Sequence, residues 1–161
     1  MTIQNNSIAL PLPSAELLTE RESCWRVTLP NDYRNFIMKF NGGIPTECAF
    51  FPPNSRERNI ERFLCILENY QDHPLGWYDI DVVDAQIGEY LTDTPDELGV
   101  GLLPIADLFF GNYLCLDFRK SRVNPTVCIW DHEGADVFSP APFQVANNFT
   151  EFLRMLTLPE E

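Results

Sequence analysis

The sequence predicts a single α+β domain, a central and mainly antiparallel sheet flanked by N- and C-terminal helices. Three observations carry that prediction. Apolar residues recur at helical spacing near both ends of the chain, at Tyr33, Phe36, Ile37 and Phe40 and again at Phe149, Phe152, Leu153 and Leu156. Between residues 102 and 130 the period shortens to that of strands separated by turn residues. A chain of 161 residues, 45% hydrophobic, with 3 Trp, 5 Tyr and 12 Phe, supplies one core, and single domains commonly take about 100 to 200 residues. No repeat, low-complexity segment or linker divides it, so residues 14–158 read as one domain behind a polar tail of residues 1–13.

Ser14 is placed to cap a first short helix, because Ala15-Glu16-Leu17-Leu18 brings an acid to the positive end of the helix dipole; fraying is expected near Glu22 or Ser23. Pro30 starts the second helix, since proline presets the backbone angle of a first turn and has no amide hydrogen to leave unpaired there. Asn41-Gly42-Gly43 ends it, glycine reaching a left-handed cap without a Cβ penalty. Residues 47–51 read as a short strand and 52–55 as a loop. Residues 58–67 alternate as a strand buried on both faces toward its end, with a helix as the open alternative. Asp79 or Asp81 caps a third helix carrying Ile80, Val83, Ile87, Tyr90 and Leu91 at helical spacing, stopped by Asp93-Thr94-Pro95. Its acids Asp81, Asp84 and Glu89 are expected to face solvent. Residues 102–105, 113–118 and 126–130 are strands, the last two paired as an antiparallel hairpin across a polar turn. Residues 143–145 add an edge strand, and Asn147 caps the closing helix.

Charge bounds the choice of partner. Acidic side chains number 24 against 11 basic, a formal net charge of −13, and no Lys or Arg falls between Arg62 and Arg119. Phosphate contacts need Lys and Arg, so nucleic acid and anionic membrane are poor partners for this surface and a basic protein is a good one. The plainer reading is that an acidic surface keeps the chain soluble. The carboxylates expected to steer a basic partner are Asp79, Asp81, Asp84, Glu89, Asp93, Asp96 and Glu97. Trp77, between Gly76 and Tyr78 in an acid-flanked loop, is either an exposed anchor for that partner or simple packing, whereas the strand-borne Trp130 belongs to the core.

Five cysteines are widely spaced, with no Cys-x-x-Cys pair, and three lie in apolar strand-like runs where a thiol behaves as a small hydrophobe. They read as buried structural thiols of a chain at home in a reducing cytoplasm. The first residues lack a basic segment followed by an apolar one, and no stretch approaches the roughly 18 apolar residues of a membrane span.

Asp131-His132-Glu133 is the one constellation suggestive of acid–base or metal chemistry. A metal site needs several converging ligands, and a catalytic histidine needs an orienting partner and a nucleophile; a polar turn closed by Gly134 is the simpler reading. Gly-x-Ser-x-Gly, His-Glu-x-x-His and phosphate-cradling glycine loops do not occur. No catalytic or metal residue is therefore assigned, and no cofactor is expected.

Four landmarks follow one another along the chain: Leu29-Pro30-Asn31-Asp32-Tyr33-Arg34-Asn35-Phe36 closing on Asn41-Gly42-Gly43; Leu103-Pro104-Ile105-Ala106 leading to Gly111-Asn112-Tyr113; Val127-Cys128-Ile129-Trp130-Asp131-His132-Glu133; and Val145-Ala146-Asn147-Asn148-Phe149. Together they resemble the SUKH superfamily, whose bacterial members are mostly immunity proteins that bind and neutralise secreted toxins. The resemblance runs over residues 30–156, with residues 24–27 and 134–142 departing most from the pattern. It implies a non-enzymatic domain with a concave sheet face. Taken together with the acidic surface and the cysteine usage, it leads to the expectation of a cytoplasmic protein, monomer or weak homodimer, that covers the active site or substrate groove of a cognate toxin. That toxin is expected to be basic and directed at nucleic acid, because an acidic protein can mimic the phosphate backbone its groove must hold. Toxin contacts differ between members, so no contact residue is carried over. The alternatives are an intracellular scaffold or regulatory module and, third, a hydrolase built on the Asp131-His132-Glu133 region.

Overall fold

Chain order is also sheet order. Strands β1 (Ala49–Phe50), β2 (Arg58–Phe63), β3 (Leu102–Leu108), β4 (Asn112–Asp117), β5 (Thr126–Trp130) and β6 (Phe143–Ala146) lie side by side as one antiparallel sheet. The computed structural model describes residues 1–161 and places four helices around that sheet: α1 (Ala15–Trp25), α2 (Asn31–Phe40), α3 (Ile80–Ile87) and α4 (Phe149–Met155). The α+β class and the β4–β5 hairpin are as the sequence predicts, with Tyr113 opposite Trp130 and Asp117 opposite Thr126.

The sheet has two unequal faces. Phe63, Ala106, Leu114, Leu116, Val127 and Ile129 belong to the main core together with Tyr33, Phe36 and Ile37 of α2 and Phe149 and Phe152 of α4. Edge-to-face rings lock that layer: Phe36 lies 4.7 Å from Phe63 and 5.1 Å from Phe149 between centroids. The opposite face carries a smaller cluster of Leu91, Leu102, Cys115, Cys128 and Trp130, with Ile87 of α3 against it. Cys65, Cys115 and Cys128 are buried, Cys48 is half-buried and Cys24 is exposed.

Several boundaries differ from expectation for identifiable reasons. Helix α1 does not fray at Glu22 but runs to Trp25, because that indole is buried and Arg26, at φ 56°, closes the helix in the left-handed region. Pro30 is the cap of α2 rather than its first helical residue. Helix α3 stops at Ile87; Gly88, a poor helix former, opens a 3₁₀ turn (Gly88–Tyr90) that lets Leu91 reach the small cluster. Asn148, not Asn147, caps α4, its Oδ1 accepting from Glu151 N at 2.8 Å. The strand read over 102–105 continues to Leu108. The polar first 13 residues are tied to the domain: Ile3 bridges Pro45, Ala9 N donates to Asn41 O at 2.7 Å, and Ile3, Ser7 and Ala9 are buried.

The stretch after β2 is extended rather than helical, and Leu64, Cys65, Ile66 and Leu67 are all buried. Backbone groups taken out of water need partners; neighbouring backbone serves Leu64 and Cys65, and side chains serve Ile66 and Leu67. The fully buried Asn41 accepts from Ile66 N at 2.8 Å and donates to Ile66 O at 3.1 Å. Its neighbour Gly42 adopts φ +68°, and a Cβ there would stand 2.9 Å from that of Cys65. Gly42→Ala is therefore expected to lower stability by about 1–2 kcal/mol, read as an earlier urea midpoint at unchanged slope.

Candidate partner-binding face

Helix α3 covers only part of the smaller sheet face, and the sequence-predicted carboxylates distribute around it unequally. Asp79 is fully buried. Its Oδ1 caps α3 by accepting from Asp81 N at 2.8 Å, and its Oδ2 accepts from Leu67 N at 2.8 Å. Burial pushes its carboxyl pKa up, against the pull of those two hydrogen bonds. It is a structural bracket and presents no charge to a partner.

Asp81 does not face open solvent either: it accepts from Trp25 Nε1 at 2.8 Å and pairs with Arg21 at 3.1 Å. Asp93 pairs with Arg119 at 3.4 Å, and Glu97 pairs with Arg122 at 3.4 Å and accepts from the Thr92 hydroxyl. Arginines from outside the cation-free interval thus fold back onto it. Glu89 and Asp96 remain exposed without an ion pair. Asp84, Glu89 and Glu97 line one depression of about 290 Å³ between α3 and residues 92–101.

Asp84 differs from the rest. It is half-buried, no hydrogen bond or ion pair reaches it, and burial, with Asp81 nearby, pushes its pKa up to about 6. A second carboxylate of this kind was missed by the sequence reading: Asp107 on β3, half-buried, unpaired, and pushed up to about 6 by burial and by Glu61 of β2. Asp107 stands opposite Tyr113, which stands opposite Trp130, so these residues share the face that α3 leaves partly open. The nearest strand-borne cation is committed elsewhere, since Arg62 donates to Ser7 O at 2.9 Å and Gly42 O at 2.8 Å and lies 5.2 Å from the Tyr78 ring. Period-2 alternation on β3 was the only sequence signal for Asp107, and the short strand read there ended before it.

What this face can do chemically is accept positive charge. Partly desolvated carboxylates with no internal counterion raise the energy of the free protein, and a cation delivered from outside relieves them.

Trp77 is 74% exposed, and Trp130 is buried, donating its indole N–H to Tyr90 O at 2.8 Å. The Asp131-His132-Glu133 segment is a turn at the end of β5. Asn112 Oδ1 accepts from His132 N at 3.1 Å and lies 2.8 Å from His132 Nδ1, while Asp131 pairs with Arg58 at 3.4 Å. His132 and Glu133 are exposed. No helix is long and apolar enough to cross a membrane.

Residues 12–155 match the family described as SMI1 / KNR4 family (SUKH-1). Searches of the curated proteins and of the solved structures find no significant match.

Proposed function

We propose, because this chain belongs to the SMI1 / KNR4 family (SUKH-1), that it is a bacterial immunity protein acting in the cytoplasm by stoichiometric, non-catalytic capture of a cognate toxin. The toxin is basic and directed at nucleic acid, since a groove that holds phosphates must be lined by Lys and Arg, and an acidic protein can occupy it in their place. The observation that carries this reading is the pair Asp84 on α3 and Asp107 on β3, two half-buried carboxylates without counterions. Glu89 and Asp96, exposed and unpaired, add the longer-range attraction.

Co-expression with basic toxins encoded beside this gene tests the reading. The expected result is rescued growth and a complex that co-purifies at equal stoichiometry. Association should approach about 10⁸ M⁻¹s⁻¹ at low salt and fall steeply as salt rises. Glu89→Gln with Asp96→Asn should slow it more than Asp93→Asn with Glu97→Gln, whose charges are already paired. An on-rate flat across a salt series removes the electrostatic mechanism, and absence of any rescue favours the scaffold or regulatory role.

A further inference from the structure

Trp77 is held by more structure than a solvated loop requires. It sits in the second of two 3₁₀ turns, Tyr70–Asp72 and Gly76–Tyr78. Gly76 lets the second close onto the first, since a Cβ there would fall 2.1 Å from Tyr70 O. His73 ties the loop at both ring nitrogens: Nδ1 accepts from Leu75 N at 2.9 Å, and Nε2 lies 2.7 Å from Leu10 O. Asn69 donates to Asp72 at 2.9 Å. The result is a fixed backbone frame for an open aromatic surface, in which Tyr70, Trp77 and Val82 border a depression of about 320 Å³. The same loop carries the exposed acids Glu68 and Asp72 and no Lys or Arg. Elsewhere in the molecule Lys39, Arg58 and Arg62 lie over Phe40, Phe143 and Tyr78, and none covers Trp77.

We infer that the Tyr70–Trp77 platform seats a basic side chain of the partner, a guanidinium in preference to an ammonium, stacked on the indole. The inference rests on reading the chain as a binder of a basic protein, and adds a contact distinct from the Asp84 and Asp107 face. A guanidinium is planar and weakly hydrated, so it stacks on an aromatic plane while keeping its edges free for Glu68 and Asp72. Because the backbone that carries the indole is already fixed, little beyond the side-chain rotamer has to be ordered on binding.

Trp25 and Trp130 are each 3% exposed, so a solvent-sensitive change in tryptophan emission reports Trp77. Hexa-arginine and hexa-lysine peptides at low salt are the probes, followed by emission and by calorimetry. Hexa-arginine is expected to perturb the emission and to bind more tightly than hexa-lysine. Trp77→Leu should abolish the emission response and weaken hexa-arginine binding about threefold to tenfold. If Trp77→Leu binds as wild type while Asp84→Asn with Asp107→Asn binds more weakly, the platform is wrong and the acidic face stands. If neither variant weakens binding, both are wrong.

Discussion

Asp79→Ala is expected to lower the unfolding free energy by about 2–4 kcal/mol, a larger loss than any exposed carboxylate of this chain would give. The carboxylate is fully buried and serves two segments at once, capping α3 through Asp81 N and closing the extended run after β2 through Leu67 N, both at 2.8 Å. The backbone around it continues the same junction, Cys65 N donating to Tyr78 O at 2.8 Å and Ile80 N to Cys65 O at 2.9 Å. Alanine removes a helix cap and leaves two amides without acceptors in an interior where water does not compensate them. Asp79→Asn keeps an oxygen for one amide but turns an NH₂ toward the other, so an intermediate loss of about 1–2 kcal/mol is expected. Urea unfolding at constant slope measures both; an alanine variant within about 0.5 kcal/mol of wild type would overturn the bracket role.

The contrast between Asp79 and its neighbours shows where sequence reasoning reaches and where it stops. Helix α2 was legible, to within one residue at its start, because its proline entry, its apolar face at Tyr33, Phe36 and Ile37, and its glycine stop are all local. Strands β4 and β5 were legible because alternation and a polar turn are local too. Asn41 was read only as part of a helix stop, yet it holds the backbone of Ile66, 25 positions away. The acidic interval misled for the same reason: its freedom from Lys and Arg is a fact about sequence neighbours, whereas Arg21, Arg119 and Arg122 reach Asp81, Asp93 and Glu97 through space. Asp107 stayed hidden because nothing in the pattern of β3 tells an outward carboxylate with a counterion from one without. Trp77 lay between these cases, since acids and a glycine beside an aromatic suggest exposure, but only the fold shows it.

Partner binding is expected to weaken by about tenfold for each of Asp84 and Asp107 between pH 7 and pH 5, while the free protein gains stability over the same interval. Both carboxyls sit near 6 in the folded protein, above the ordinary 3.8. Between those values the folded state holds more protons than the unfolded chain, so stability falls as pH rises through the window and is regained on acidification. Asp84→Asn with Asp107→Asn removes that penalty and should raise stability at pH 7 by about 1–2 kcal/mol in total, a figure reduced for the partial exposure of both groups. The complex behaves oppositely. A partner's Lys or Arg favours the ionised carboxylates, so binding releases protons and loses affinity as pH drops below 6. The double variant is thus expected to be more stable, to bind more weakly, and to show a flatter pH profile. Calorimetric titrations at pH 5, 6 and 7, set beside urea unfolding at pH 5 and 7, separate these effects. Affinity that ignores pH, together with a destabilised double variant, would mean that the two carboxylates serve the fold and not the partner.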